Sequence, residues 1–386
     1  MICVFSLGPW LDSLHGNSIL NLFENISRLG YQVKVVLPST SNKLVKNKSF
    51  SVIGLKVKRT GPITTFLSPY LWKHFMKILS ENRPSTLIFD TWMLPLFLLA
   101  KLLYKSEGIL QILSRPVGQS GFKGWLSFLS FRLSLMLSKG FVNRVTAVSP
   151  FEAVEFSRMA KIPKDKMMVL PSPLGEQFTK RSPIDKDQLR LKLGLDVLLS
   201  KKVLLYHGVL HEGRGILKVL EIFANSFKGD DEIALLLVGD GPAKDSVKRF
   251  ILDNEVHNII FHGPVPYSSM PEIIEASDVG LVLLPDHPWW RYQCPTKLIE
   301  LLAMGKPVIA SDLPGIRWIA GSSPSVVYLR NFTVSAFKEA IKKALMKRDR
   351  NIGQEMIDRF SSHSLALRLS KVVSTFARAD LKKNEY

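Results

Sequence analysis

Two Rossmann-like α/β domains are predicted, on three observations. The chain has 386 residues, 46% hydrophobic and 22% charged, which is enough apolar material for two cores and more chain than one core accommodates. Short apolar runs alternate with longer amphipathic ones, the pattern of parallel sheets with crossover helices. The alternation occurs twice, separated by the proline- and glycine-punctuated stretch Leu170-Pro171-Ser172-Pro173-Leu174-Gly175, which reads as an extended linker.

In the first series the expected strands are 2–6, 32–37, 51–57, 86–89, 109–113 and 144–147, with helices between most of them. In the second they are 203–206, 233–238, 259–261, 279–284, 307–310 and 326–329, with helical patterns through about Met346. The tail from Ser364 has apolar residues at helical spacing, including Leu365, Leu369, Val373 and Phe376, which would let it pack across both domains. The expected division is an N-terminal domain over 1–170, a linker over 171–184, a second domain over 185–363 and a C-terminal helix over 364–386. Two such domains would face each other across a cleft, because ligands of open α/β sheets bind beyond the carboxyl ends of the strands.

Charge narrows the class of partner. There are 52 Lys and Arg against 33 Asp and Glu, a net +19. Residues 1–180 hold 23 basic and 9 acidic side chains (+14), and 181–386 hold 29 and 24 (+5), so the field belongs mainly to the first half. Such a field suits a localised acidic partner: nucleic acid, anionic lipid or a phosphorylated substrate. Nucleic acid is not expected, since the basic residues are spread along the half and form no nucleic-acid module. Cys3 and Cys294 lie far apart, which argues against a disulfide scaffold or a zinc site and fits a reducing compartment. The start lacks a basic region and its apolar run stops at Gly8-Pro9, so it reads as a strand rather than a targeting peptide. The apolar stretches 92–104 and 125–142 are interrupted by Pro95, Lys101, Arg132 and Lys139, short of the ~20 apolar residues of a membrane span.

The most informative stretch runs from Cys294-Pro295-Thr296-Lys297 through Glu300 to Gly305-Lys306-Pro307-Val308. Pro295 lies just before a helical run, close to the first position where proline is tolerated, and Gly305 closes the run where a C-cap is expected. The first turn of such a helix offers free N–H groups to a phosphate, and Lys297 adds full charge. Glu300 lies three residues from Lys297 and four from Thr296, on their face, where a carboxylate can accept bonds from ribose hydroxyls. By itself the spacing equally describes a surface Lys297–Glu300 ion pair worth ~0.3 to 0.5 kcal/mol.

This segment resembles the signature of family 4 (group 1) glycosyltransferases of GT-B architecture, in the variant P-x-K-x-x-E-x-x-A-x-G-K-P-V. Other marks of that family follow in its order: Tyr206-His207-Gly208 with Arg214-Gly215, Val238-Gly239-Asp240-Gly241-Pro242, Phe261-His262-Gly263-Pro264-Val265, and Ala276-Ser277-Asp278-Val279-Gly280. The resemblance is firm over about 200–330. Over 1–180 it is looser, carried by His15-Gly16-Asn17, Gly30-Tyr31-Gln32-Val33 and Val145-Thr146-Ala147-Val148-Ser149. It implies transfer of a sugar from a nucleotide-diphosphate donor with retention at the anomeric carbon, without a metal or other cofactor. The donor-side residues it implies are Gly16, Gly208, Arg214, Gly239, Gly263, Pro295, Thr296, Lys297 and Glu300, with Arg214 and Lys297 stabilising the departing diphosphate. Two positions depart from the pattern. Tyr292 stands where many members carry a glutamate, eight residues before Glu300, and Val209 stands where a first arginine is usual.

The remaining candidates carry structural alternatives. Asp90, at a strand end, would touch an acceptor hydroxyl or cap the next helix. Arg115 and Lys123, flanking Gly118 and Gly121, would meet a phosphorylated acceptor or be solvated loop charges. His207 and His211 lie near the expected diphosphate, and a lone histidine is more often structural. Asp185 to Asp187 reads as a helix N-cap, not a metal site. Along 125–139, Ser127, Ser130, Ser134 and Ser138 form one stripe, opposite Trp125, Arg132, Met136 and Lys139, a mixture suited to a lipid headgroup boundary. The alternative is a core helix with Arg132 paired internally. The expected function is a retaining glycosyltransferase acting on a lipid-linked or polysaccharide acceptor, cytoplasmic and peripheral at the inner face of the cell membrane. The rivals are a non-catalytic nucleotide-sugar or polyanion-binding protein and a nucleotide-sugar epimerase.

Overall fold

The computed structural model describes residues 1–5, 14–39, 43–46, 49–56, 69–113, 115, 121–179, 184–347 and 352–383. Ser6, Val57 and Gly118 lie outside them. So does the side chain of Lys123, whose backbone is described, as is that of Gly16. The chain divides into two compact units, Met1–Pro173 with Phe360–Tyr386, and Leu174–Arg359.

The first unit runs β1 (Ile2–Phe5), α1 (Leu14–Arg28), β2 (Val33–Ser39), β3 (Lys43–Lys46), β4 (Phe50–Lys56), α2 (Pro69–Asn82), β5 (Thr86–Phe89), α3 (Leu94–Tyr104), β6 (Glu107–Leu110), α4 (Gly121–Ser138), β7 (Arg144–Ala147), α5 (Pro150–Ala160) and β8 (Met167–Val169). Its eight-stranded sheet has the order β3-β4-β2-β1-β5-β6-β7-β8, parallel except where β3 runs against β4. Strand β1 feeds a core on each face: Cys3 and Phe5 join one, Ile2 and Val4 the other. That two-sided burial is why these strands read as unbroken apolar runs.

The expected strands are present with small shifts at their ends, whereas β3 and β8 were not expected. β3 is Lys-Leu-Val-Lys at the sheet edge, where lysines protect an open ladder and hide the apolar period. β8 has three residues, too few for a period to register. The run at 109–113 pairs only through Leu110, although Gln111 and Ile112 stay buried beyond it.

The second unit runs α6 (Lys186–Lys192), β9 (Lys202–His207), α7 (Ile216–Phe227), β10 (Ile233–Val238), α8 (Lys244–Asp253), β11 (Ile259–Gly263), α9 (Met270–Glu275), β12 (Val279–Val282), α10 (Thr296–Ala303), β13 (Val308–Ser311), α11 (Pro314–Ala320), β14 (Val326–Leu329), α12 (Val334–Leu345) and α13 (Ile352–Phe360). Its six-stranded sheet has the order β11-β10-β9-β12-β13-β14 and is parallel throughout. The chain leaves β9 toward β10 and β11, then returns to the other side of β9 as β12. Such a reversal opens a crevice at the carboxyl ends of β9 and β12. Asp185 caps α6 by accepting from the Asp187 N–H at 3.0 Å, the role expected of it.

The last helix, α14 (Ser362–Lys383), belongs to the first unit. Leu365, Leu369, Val373 and Phe376 enter the core formed by Ile19, Phe23 and Ile26 of α1 with Ile2 and Val4. The Tyr31 hydroxyl donates to the Ser370 carbonyl at 3.3 Å.

Candidate functional site

The second unit's reversal point is where the expected residues meet. Three loops at the carboxyl ends of β9, β10 and β11 are linked in series: Gly208 N–H donates to Val238, and Gly239 N–H to Gly263, each at 2.9 Å. The glycines are required here. Gly239 and Gly241 have φ of +145° and +158°, and any Cβ on them would overlap the carbonyl oxygens of Gly208 and Leu210. Gly208 takes φ +108°, which side chains rarely adopt, and a Cβ there would stand in ordinary contact with the stem of Lys297. Close approach of backbone to backbone thus clears space beside Lys297.

Lys297 stands in the first turn of α10. Pro295 is the N-cap of that helix, just before the helical run as the sequence predicts, and no side chain caps it. The other end closes with a Schellman motif: Gly305, at φ +65°, donates to Leu302, and Lys306 donates to Leu301. The first-turn N–H groups therefore face the crevice as a partial positive charge.

The Lys297–Glu300 surface pair does not exist. Both side chains are buried, at 7% and 3% exposure, and among the described residues no carboxylate lies within ion-pair distance of Lys297. Its ammonium instead lies 3.9 Å from the centre of the buried Tyr206 ring. Burial, then the Arg214 guanidinium, push the ammonium down to about 7. Burial likewise holds Arg214 below its usual value. Arg214 precedes Gly215, whose φ of +78° starts α7, and its guanidinium lies 5.1 Å from the Trp290 ring. Two basic groups thus sit at one crevice with no carboxylate in an ion pair with either among the described residues, an arrangement that suits a polyanion.

Glu300 is held by groups that the sequence reading did not single out for it. Its Oε1 accepts the Tyr267 hydroxyl at 2.7 Å, and Oε2 lies 3.8 Å from His207 Nδ1. Burial pushes the Glu300 carboxyl up to about 7. Burial, then Lys297, push His207 down to about 3, so at neutral pH the imidazole is uncharged and no salt bridge forms. His207 Nε2 is buried without a hydrogen-bond partner. The Tyr267 ring lies 5.2 Å from that of Phe178.

Trp290 was also missed. It is 4% exposed, and its indole N–H donates to the Gly213 carbonyl at 2.6 Å, tying the β12–α10 loop to the turn that carries Arg214. Arg291 and Asp286 close the same loop with a bidentate pair at 2.7 and 2.8 Å. The available signals were the Trp289-Trp290 pair inside the loop and the position of Tyr267, two residues past the Gly263-Pro264-Val265 fragment. The departures are placed too: Val209 is exposed, and the Tyr292–Gln293 backbone packs against Gly315 so closely that a Cβ there would overlap it.

The first-unit candidates follow the carboxyl ends of β1, β5 and β6, which are neighbours in the sheet. Asp90 follows β5 at its carboxyl end, beside the β1–β5 reversal, and its carbonyl accepts from Met93 N–H at 3.0 Å. Arg115 is a correction: it is not a solvated loop charge. It is 6% exposed, makes a bidentate pair with Glu155 and lies 3.5 Å from the fully buried Glu152. Burial outweighs that guanidinium and pushes Glu152 up to about 7. Trp125, Arg132 and Lys139 on and beside α4 are exposed. Arg132 has no carboxylate partner among the described residues, so the internally paired core helix is not found. Gly16 lies in the first turn of α1.

The family model described as "Glycosyl transferases group 1" matches residues 201–347, the part of the chain that holds these loops. Alpha-D-kanosaminyltransferase of Streptomyces kanamyceticus is 22% identical over 194 residues, 50% of this chain and 48% of that one. TuaC of Bacillus subtilis (strain 168), whose name assigns it to teichuronic acid biosynthesis as a glycosyltransferase, is 29% identical over 173 residues, 44% of this chain and 40% of that one. The matches thus span less than half the length of these curated relatives. The crystal structure of Anabaena Alr3699/HepE in complex with UDP-glucose superposes with a TM-score of 0.72 at 15% identity, over 97% of this chain and all of that one. This likeness shows the fold, the GT-B architecture.

Proposed function

We propose, from the match of residues 201–347 to the family model of the group 1 glycosyltransferases, that the protein transfers a sugar from a nucleotide-diphosphate sugar, with retention, to a lipid-linked or polysaccharide acceptor at the inner face of the cell membrane. The observation that carries the donor half is the buried Lys297 and the half-buried Arg214, neither in an ion pair with a carboxylate among the described residues, beside the uncapped start of α10. The diphosphate lies against both cations and the first-turn N–H groups of Thr296 and Lys297, with the ribose hydroxyls toward Glu300. Pro295 shapes the start of that helix, and Gly208, Gly239 and Gly263 let the backbone approach the nucleotide. The UDP-glucose in the Anabaena structure and the polysaccharide named for TuaC agree in kind with this reading.

In the transfer, the bond between the anomeric carbon and the diphosphate oxygen breaks as the bond to the acceptor oxygen forms on the same face. The acceptor proton passes to the departing diphosphate. Charge grows on that leaving group in the transition state, where Arg214 and Lys297, held out of bulk water, stabilise it most. These two cations and the helix start supply the counter-charge without a metal ion. Asp90 is the acceptor-side residue of this reading, set at the carboxyl end of β5 by the first unit's strand order.

Thermal-shift binding over nucleoside diphosphates and nucleotide sugars, with Glu300→Ala alongside, tests the donor site. The expected result is stabilisation by one nucleotide family, lost in the variant. Folded wild-type protein that no nucleotide stabilises overturns the reading. Binding without transfer to any acceptor selects the non-catalytic alternative, and interconversion of the nucleotide sugar itself selects the epimerase.

A further inference from the structure

Helix α4 is apolar on the outside. Phe131, Leu135 and Ser138 are buried and Ser127 and Ser134 half-buried, so the serine stripe turns inward. The Ser138 hydroxyl is satisfied within the helix by the Leu135 carbonyl at 2.8 Å. Outward stand Phe128, Leu129, Leu133, Met136 and Leu137, each 41% to 53% exposed, with Trp125 at one end. Leu129 and Leu133, four residues apart, line one stripe. Contiguous exposed apolar surface of this kind marks an interaction site.

We propose that this face of α4 docks the protein on a bilayer surface that contains anionic lipid, with the helix lying in the plane of the interface. The helix has 18 residues, about 27 Å long, and it is held to the first unit by its other side, so it lies on a membrane and does not span one. Among the described residues no helix is long and apolar enough to cross a bilayer. Arg132 and Lys139 are exposed beside the apolar residues, where their stems pack on lipid and their charges reach headgroup phosphates. The segment 121–138 contains no Asp or Glu. Two copies meeting through this face would oppose cation to cation with no counter-charge, whereas an anionic surface complements both these residues and the +14 first half. The proposal rests on the membrane part of the reading above and is independent of the donor site.

The test is co-sedimentation with vesicles of phosphatidylcholine alone and with about 30% phosphatidylglycerol. Wild-type protein is expected on the anionic vesicles, with binding lowered about tenfold by Leu133→Gln with Met136→Gln and several-fold by Arg132→Gln with Lys139→Gln or by added salt. Cys3 and Cys294 are buried, so Leu133→Cys can be labelled selectively with an environment-sensitive fluorophore, whose emission is expected to shift to the blue on anionic vesicles. Unchanged thermal midpoints and nucleotide-induced shifts in these surface variants separate this proposal from the donor reading. Failure to bind anionic vesicles, equal binding by the apolar variant, or sedimentation without the emission shift overturns it. A dimer that Leu133→Gln with Met136→Gln dissociates, in protein that ignores vesicles, assigns the face to a second copy and overturns it as well.

Discussion

The Tyr267 hydroxyl donates to Glu300 Oε1 at 2.7 Å, across two segments that share no apolar period. This bond favours the ionised carboxyl, against a burial that pushes it up to about 7. Tyr267→Phe therefore raises the Glu300 value further, and the site holds a neutral acid at pH 7. Nucleotide affinity is expected to fall about tenfold at pH 7, the worth of one hydrogen bond to a charged group. The deficit should narrow as pH rises and the carboxyl ionises. Titration calorimetry at several pH values checks both statements, and a pH-independent deficit counts against them.

Lys297 couples binding to protons. Burial and Arg214 hold its ammonium at about 7, so the folded state carries fewer protons here than the unfolded chain between that value and 10.5. A diphosphate raises the value again by opposing charge. Nucleotide binding near pH 7 to 8 is thus expected to take up part of one proton, and apparent affinity to fall as pH rises above that range. Calorimetry in buffers of different ionisation enthalpy measures the uptake. Lys297→Met should abolish it and weaken binding.

Trp290 acts on Arg214 from behind. Its ring faces the guanidinium at 5.1 Å and its N–H holds the Gly213 carbonyl at 2.6 Å. Trp290→Leu frees the arginine at a cost of about 1 kcal/mol in diphosphate binding. Trp290→Phe keeps the ring face and recovers part of that. Comparing nucleoside diphosphate with the free nucleoside in both variants checks the assignment, since only the diphosphate should respond.

Arg115 predicts a stability effect. Arg115→Ala leaves Glu152, fully buried, without the guanidinium at 3.5 Å and strands Glu155. The expected loss is about 3 to 5 kcal/mol in urea unfolding. Adding Glu152→Gln removes the stranded charge and should restore a large part. The Glu152 carboxyl lies at about 7 with Arg115 in place, and burial alone lifts it further. The single variant should accordingly lose stability as pH rises from the ordinary carboxyl value of 4.5 up to the raised folded value and level off above it, because only the unfolded chain ionises in that window.

Much of the fold was legible because local chemistry decides it. The continuous apolar runs of β9, β10 and β14 demand two-sided burial. Gly305 has only one favourable role at a helix end, and Asp185 its cap. β3 was hidden because edge lysines answer to the solvent on the open side of the sheet and not to the core. At the site, the residue types of Arg214, Lys297 and Glu300 were readable in the chain's motifs, whereas Tyr267 and Trp290 were not. Their partners lie 33 and 77 residues away, and no spacing rule links them.

By itself the sequence determined two parallel α/β units, the punctuation of their elements and the motif residues around α10, since period, capping and turn chemistry act within a few residues of chain. Only the tertiary structure decided which charges are buried. It placed Lys297 on Tyr206 and paired Arg115 with Glu152 and Glu155. It also turned the serines of α4 inward and its leucines out. Burial is set by what the rest of the fold packs against a side chain, and that is a property of the assembled unit rather than of any local stretch of residues.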